Sequence, residues 1–196
     1  MIATGKEAEA ARATVQRLVD AHGNDGPDSV MHWSSQRPHH SYPNGPTLID
    51  VLEKRNQRYS AALDIGTARG MSALILAHWA DHVYTIDIYK SEWVPRIWEE
   101  AGVADRITSF VVINDPPGKK KAKVIAKITF DMAFIDGNHC RGGVLLDYKL
   151  AKRCGLLLFH DYPKAYHGAD GAGWVLGNQA EGVVTDMRPF AWWEAK

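Results

Sequence analysis

From Ser60 onward, the chain alternates short apolar runs with longer segments of helical periodicity. The apolar runs predict strands at 61–65, 82–87, 107–113, 130–136, 156–161 and 183–193, the last as two short strands around Pro189. Helices are predicted between them at 70–80, 93–101, 119–127, 141–154 and 172–180. The strand runs are continuously apolar, which is typical of a mostly parallel sheet covered by helices on both faces. The pattern therefore predicts a Rossmann-like, doubly wound α/β fold.

The first 59 residues have a different pattern, which predicts a helical and irregular extension. Residues 4–22 carry apolar side chains at helical spacing and predict one helix. Residues 23–46 lose all periodicity, and we interpret them either as a surface loop or as a lid over a site. Thr47 then predicts the N-cap of a second short helix. We expect 1–59 to be an extension of a domain spanning 60–196, and not a second domain.

Polar side chains with chemical potential gather where the predicted strands end. In doubly wound sheets, ligands bind beyond the carboxyl ends of the strands, near the point where strand order reverses. The residues at those positions are Asp64, Asp87, Asn114, Asp115, Asp136, His160 and Asp161. The sequence therefore predicts that they share one site.

A glycine-rich turn between the first strand and its helix predicts a nucleotide-type cofactor site. Gly66 and Gly70 let the backbone approach a ligand, and Asp87 ends the next strand, where its carboxylate can accept ribose hydroxyls. Ala68 occupies the second glycine of a dinucleotide fingerprint, which disfavours a pyrophosphate. Asp64 beside the turn suits a cationic ligand, and this favours S-adenosylmethionine, which carries an ammonium and a sulfonium. The alternative is that Asp64 only caps the turn.

Four motifs stand at the predicted strand ends: LDIGT at 63–67 with Gly70, VYTID at 83–87, FD at 130–131 leading to DGNH at 136–139, and LFHDY at 158–162. They resemble those of class I S-adenosylmethionine-dependent methyltransferases, in particular the group called methyltransferase domain 24. The resemblance implies a seven-stranded sheet with a reversed last strand. It places Gly66 near the methionine part of the cofactor, Asp87 on the ribose, and Asn114 and Asp115 near the adenine. The whole candidate cofactor set is Asp64, Gly66, Thr67, Gly70, Asp87, Ile88, Asn114, Asp115 and Asp136.

The candidate catalytic residues are Asp136, His139 and Asp161. Methyl transfer to an alcohol needs a base for the acceptor proton, and His139 can act at neutral pH. A divalent cation with oxygen ligands could lower the pKa of the acceptor hydroxyl, and Asp136, His160 and Asp161 are the candidate ligands. In related sugar and antibiotic O-methyltransferases the matching acids bind Mg²⁺, and the resemblance carries that role to Asp136 and Asp161.

Two departures from the family pattern leave metal use open. Metal-binding relatives often carry two acids at the end of the fifth strand, where this chain has His160 and Asp161. They also often carry a further acid near the position of Asn138. Fewer carboxylates weaken magnesium binding, so the alternative is a metal-free site in which His139 and Asp161 act together as the base.

Composition narrows the partners. The formal charge of the 196 residues is zero, so no global charge favours nucleic acid, and no apolar run has the length of a membrane span. Two cysteines, Cys140 and Cys154, form neither a metal motif nor a disulfide framework, which is typical of a cytoplasmic protein. The basic run at 118–123, near the start of the helix predicted at 119–127, is interpreted as a solvated turn, with binding of a substrate phosphate as the alternative. Trp192 and Trp193 are predicted in the core or at a homodimer interface.

Together these features predict an S-adenosylmethionine-dependent O-methyltransferase acting on a small-molecule or sugar hydroxyl. Three alternatives stay open. One is an NAD-type oxidoreductase, and a second uses the same fold and strand-end site for another reaction, such as hydroxylation. The third is a non-catalytic accessory protein that binds S-adenosylmethionine.

Overall fold

In a computed structural model of the chain, seven strands form one sheet, which is mostly parallel. The structure describes residues 2–22, 46–113, 115, 118–163 and 169–196. The strands are β1 (Tyr59–Ile65), β2 (Ala80–Asp87), β3 (Ile107–Val111), β4 (Met132–Ile135), β5 (Leu156–Phe159), β6 (Val183–Met187) and β7 (Phe190–Glu194). Their order across the sheet is β3-β2-β1-β4-β5-β7-β6. β1 to β5 are parallel, whereas β7 runs antiparallel to both β5 and β6. The predicted doubly wound sheet with a reversed last strand is confirmed.

Seven α-helices accompany the strands in the described part of the chain. They are α1 (Lys6–His22), α2 (Leu48–Arg55), α3 (Met71–Trp79), α4 (Trp93–Glu100), α5 (Lys119–Ile125), α6 (Arg141–Ala151) and α7 (Gly171–Asn178). α2 begins at the predicted N-cap: Thr47 Oγ1 accepts from the Asp50 N–H at 3.2 Å, while the Asp50 carboxylate accepts from the Thr47 N–H at 2.8 Å. None of the described helices is both long and apolar enough to span a bilayer.

The continuously apolar runs of β4 and β5 arise because each of these strands is buried on both faces, against two different cores. In β5, Leu156 and Leu158 face an apolar cluster that also contains buried residues of α1 to α4. Leu157 and Phe159 face a second cluster that contains residues of α5, α6 and α7. Successive strand side chains point to opposite faces, so a strand buried on both faces is apolar throughout.

Trp192 and Trp193 of β7 follow the same rule and face opposite clusters, both almost fully buried. Their predicted place in the core is confirmed. α1 and α2 belong to the first cluster, so the N-terminal helices share a core with α3 on that side of the sheet. The division of the chain at residue 59 stays a prediction, as does a lid at 23–46, of which all but residue 46 lies outside the described residues.

Several predicted strands are too long at their carboxyl ends. The run 107–113 pairs only as far as Val111, whose partner Asp87 ends β2. The runs 130–136 and 156–161 end at Ile135 and Phe159. The ladders stop there because the chain turns away, and the polar residues of interest therefore lie in the loops immediately after the strands.

Candidate active site

The turn after β1 packs directly on the loop after β4, where the strand order reverses. Gly66 has φ +108°, and its N–H donates to Ile86 O at 2.9 Å. A Cβ at Gly66 would overlap the main-chain oxygen of Asp136 and lie 2.8 Å from Cα of Gly137. Only glycine fits this close approach. The predicted cofactor turn and the predicted catalytic loop are therefore in contact.

Gly70 closes the same turn. It adopts φ +83° at the N-cap of α3, and its carbonyl accepts from Trp98 Nε1 at 2.9 Å. A Cβ here would lie 2.8 Å from Val94 Cγ1 and 2.9 Å from Trp98 Nε1, which explains the glycine by packing as well as by backbone conformation.

Asp64 is fully buried at the end of β1 and lies on the α3 side of the sheet. Its Oδ2 accepts from Ser72 Oγ at 3.0 Å and from Thr85 Oγ1 at 2.8 Å, and Thr85 also bonds the hydroxyl of the buried Thr67. Asp64 Oδ1 is buried without a partner among the described residues. Burial raises the pKa of Asp64 to about 7; the two hydroxyls oppose the increase, and the charges of Asp136 and Asp87 add to it. The hydroxyls of Ser72 and Thr85 were not predicted, because each looks like an ordinary residue of a helix or strand.

Asp87 ends β2 and is held by two backbone donors. Its Oδ2 accepts from the N–H of Ala68 at 2.7 Å, and its Oδ1 accepts from the N–H of Tyr89 at 2.9 Å. The carboxylate therefore ties the cofactor turn to the chain after β2. Ile88 follows, with 72% of its surface exposed.

The predicted adenine-side residues are described only in part. Asn114 lies outside the described residues. The Asp115 carboxylate accepts from the N–H groups of Lys120 at 2.7 Å and Lys121 at 2.8 Å, so it holds the first turn of α5. Any contact between Asp115 and a cofactor stays a prediction.

The basic run at 118–123 lies at the start of the predicted helix, and Lys119, Lys120 and Lys123 are exposed as expected, whereas Lys121 is partly buried. α5 begins at Lys119, and Lys121 Nζ lies 2.6 Å from Oδ1 of Asp147, a fully buried carboxylate on α6. Local charge density suggested full exposure, whereas the partner lies 26 residues further along the chain.

Four predicted residues meet in one network across the ends of β4 and β5. His139 Nδ1 lies 2.6 Å from Asp161 Oδ2. His160 Nδ1 lies 3.0 Å from Asp136 Oδ1 and 3.4 Å from Asp161 Oδ1. Asp161 adopts φ +55°, a conformation that costs energy for a residue with a side chain, and this backbone turns its carboxylate between the two imidazoles. The sequence thus predicted both acids and both histidines.

The network shifts the pKa of both imidazoles upward. The hydrogen bond that His139 donates to Asp161 raises the pKa of His139 above its usual value, against the opposing effect of burial. For His160, burial favours the neutral form, but the charge of Asp136 and then that of Asp161 outweigh it and raise the pKa to about 9.

The network lines a small cavity that opens to solvent. Its far wall is formed by Ala169, Gly171 and Ala172 at the start of α7, and the Gly171 N–H donates to His139 O at 3.1 Å. This wall was not predicted, because the segment before α7 has no readable pattern. Its only sequence signal is the glycine at 171, where a Cβ would overlap His139 O.

The rim of the site carries an ion pair that the sequence did not reveal. Arg141 at the start of α6 donates to both oxygens of Asp170, at 2.9 and 2.6 Å, and its guanidinium lies 5.6 Å from the ring centroid of Trp174. The pair joins α6 to α7 beside the cavity.

Comparison with known proteins agrees with this geometry. The sheet order and the site at its switch point define a class I S-adenosylmethionine-dependent methyltransferase. A family model described as a methyltransferase domain matches residues 63–162, about half of the chain. The chain belongs to this methyltransferase-domain family. No match was found among the curated proteins.

Solved structures share the fold at low sequence identity. The O-methyltransferase from Bacillus cereus in complex with S-adenosylhomocysteine is 14% identical, with a TM-score of 0.57, covering 96% of this chain and 91% of that one. The O-methyltransferase TomG from Streptomyces achromogenes, involved in tomaymycin synthesis and solved with S-adenosylmethionine, is 19% identical, with a TM-score of 0.55 over 96% and 90%. MycE, from the mycinamycin biosynthetic pathway and solved with Mg, S-adenosylhomocysteine and mycinamycin VI, is 16% identical, with a TM-score of 0.51 over 73% of this chain and 46% of its own.

Proposed function

We propose that the protein transfers the methyl group of S-adenosylmethionine to a hydroxyl oxygen of a small molecule or a sugar. The observation that carries the proposal is the His139–Asp161 pair, at 2.6 Å, which lines the cavity beside the loop on which Gly66 packs. An imidazole held by a carboxylate is a suitable base for an acceptor hydroxyl.

The charges around the turn support S-adenosylmethionine as the methyl donor. Asp64, Asp87 and Asp136 end three neighbouring strands, and Asp64 senses the charge of the other two. Three carboxylates at the carboxyl ends of neighbouring strands repel a pyrophosphate and attract an ammonium and a sulfonium. Asp87 lies where its remaining lone pairs can accept ribose hydroxyls. The neighbours from B. cereus and S. achromogenes were solved with S-adenosylhomocysteine and S-adenosylmethionine.

The transfer itself is an in-line displacement at the methyl carbon. The acceptor oxygen forms the new C–O bond as the C–S bond breaks, and the sulfur keeps that electron pair. The acceptor proton passes to His139. A proton at Nδ1, held by Asp161, places the lone pair of the neutral imidazole at Nε2, which is the atom that takes it. Asp161 also stabilises the imidazolium that forms.

The strand-end cluster fits a divalent cation. Asp136, His160 and Asp161 each offer one ligand atom, and these atoms lie within 4.8 Å of one another. When bound, such a cation lowers the pKa of the acceptor hydroxyl and orients its oxygen. MycE, a structural neighbour, was solved with Mg.

A transfer assay tests the proposal. The protein is incubated with S-adenosylmethionine carrying a ¹³C methyl group and a panel of catechols, phenols, sugars, amines and thiols. Appearance of the ¹³C methoxy signal of a hydroxyl acceptor, lost in His139→Ala, is the expected result. Methylation of amines or thiols alone would contradict oxygen as the acceptor. Cofactor binding without transfer to any panel member, equal in both proteins, would favour the accessory role.

A further inference from the structure

We propose that Asp136, His160 and Asp161 form a mixed nitrogen–oxygen site that selects a first-row transition ion, such as Mn²⁺, Co²⁺ or Zn²⁺, over Mg²⁺. The inference rests on the proposed function only in placing a metal at this cluster. It follows from His160, whose ring nitrogen stands among the oxygen donors.

Two distances within the cluster match those between neighbouring ligands of one ion, and all three ligand atoms lie within 4.8 Å of one another. His160 Nδ1 lies 3.0 Å from Asp136 Oδ1 and 3.4 Å from Asp161 Oδ1. Ligand atoms about 2.0–2.2 Å from a metal lie about 3–3.5 Å apart in octahedral or tetrahedral sites. A cation can therefore take the place of the proton that the imidazole shares with the carboxylates.

The donor set disfavours magnesium. Mg²⁺ prefers oxygen ligands in near-ideal octahedral geometry, whereas imidazole suits transition ions and affinity for nitrogen donors rises from Mn²⁺ towards Cu²⁺. Two carboxylates suit both classes of ion. The imidazole of His160 therefore decides the selectivity.

Surrounding contacts hold each donor in place. The ring of His160 packs between Phe134 and Phe190, with centroid distances of 6.3 and 4.9 Å, and its backbone N–H donates to Ile135 O at 3.1 Å. His139 holds Oδ2 of Asp161 and leaves Oδ1 on the His160 side. Such outer contacts orient metal ligands and strengthen binding.

Calorimetric titration of chelator-treated, dialysed protein with Co²⁺, Zn²⁺, Mn²⁺ and Mg²⁺ tests the inference, with the visible absorption of bound Co²⁺ as a second readout. We expect one Co²⁺ per chain, bound at least 100-fold more tightly than Mg²⁺. His160→Ala should weaken Co²⁺ binding at least 10-fold. His160→Asp should narrow the Co²⁺/Mg²⁺ ratio at least 10-fold, because it restores an all-oxygen set. His82→Asn serves as the control, since His82 lies on β2 and contacts Thr108.

Three results would overturn the inference: Mg²⁺ affinity within 10-fold of Co²⁺, Co²⁺ binding that survives His160→Ala unchanged, or no ion bound by the wild-type chain. Titration with S-adenosylmethionine in the presence of chelator separates this failure from that of the proposed function. If S-adenosylmethionine binds but no metal does, the proposed methyltransferase function would stand and the proposed metal site would be rejected. In that case the role of His160 would be to bridge the carboxylates of Asp136 and Asp161 through its ring N–H.

Discussion

His139 and Asp161 lie 2.6 Å apart although they follow different strands, β4 and β5. The parallel pairing of these strands brings their carboxyl ends together, and the positive φ of Asp161 directs its carboxylate back to the imidazole. One third of the His139 side chain is exposed to solvent, whereas the side chain of Asp161 is mostly buried. This is the arrangement expected of a general base that is oriented by a buried carboxylate and exposes its imidazole to the substrate.

Replacing His139 by Ala should reduce kcat by about 10²–10⁴-fold, the usual contribution of a general base. Affinity for S-adenosylmethionine should stay within about twofold, because the contact of His139 among the described residues is with Asp161 and not with the glycine turn or Asp87. Single-turnover kinetics and calorimetry measure the two effects separately. An unchanged kcat would remove His139 from the reaction.

Replacing Gly66 by Ala should impair both folding and cofactor binding. The new Cβ would collide with the main chain of Asp136 and Gly137, and backbone cannot rotate away as a side chain can. We expect a loss of about 2 kcal/mol or more in the free energy of unfolding, measured by urea denaturation. Gly177→Ala on α7 is the matched control, because its Cβ would meet nothing within 4 Å. It should stabilise by about 0.5–1 kcal/mol. Equal effects at both positions would contradict this account.

The buried Asp64 should make the free protein less stable as the pH rises. Its pKa is about 7 in the folded state and 3.8 unfolded, so the folded chain binds the extra proton between those values. The stabilising contribution of the protonated carboxyl is complete below about pH 4 and is lost by pH 7. The stability of Asp64→Asn relative to wild type should therefore rise by about 2 kcal/mol as the pH increases from 5 to 8.

Urea unfolding of both proteins at the two pH values measures that gain. Asp105→Asn, an exposed acid before β3, should show no such change. If the stability difference for Asp64→Asn were the same at pH 5 and pH 8, Asp64 would not carry the shifted proton.

Replacing Lys121 by Met should expose the cost of the buried carboxylate of Asp147. Lys121 Nζ lies 2.6 Å from Oδ1 of Asp147, whereas Oδ2 of Asp147 has no hydrogen-bond partner among the described residues. Burial already raises the pKa of Asp147, and removal of the cation should cost about 3 kcal/mol of unfolding free energy. A second substitution, Asp147→Asn, should recover more than half of the loss. A loss below about 1 kcal/mol in Lys121→Met would contradict a stabilising role for this ion pair.

The fold was predictable because burial on both faces makes the central strands β4 and β5 continuously apolar. The ends of strands were less predictable, since Val112 and Ile113 extend the apolar run after β3 has lost its partner. The acids and histidines of the site could be predicted because parallel strands gather their carboxyl ends at one edge. Partners from distant elements could not: nothing local relates Arg141 to Asp170 or Lys121 to Asp147. The cytoplasmic location and the homodimer stay predictions.

Calorimetric titration with S-adenosylmethionine tests the central claim most directly, using wild type, Asp87→Ala and the exposed control Asp105→Ala. Asp87 connects the turn after β1 to the end of β2, where the ribose should bind. The account predicts micromolar binding to wild type and Asp105→Ala, and at least a 10-fold loss in Asp87→Ala. Absence of binding to wild type, or equal binding to all three proteins, would contradict the account.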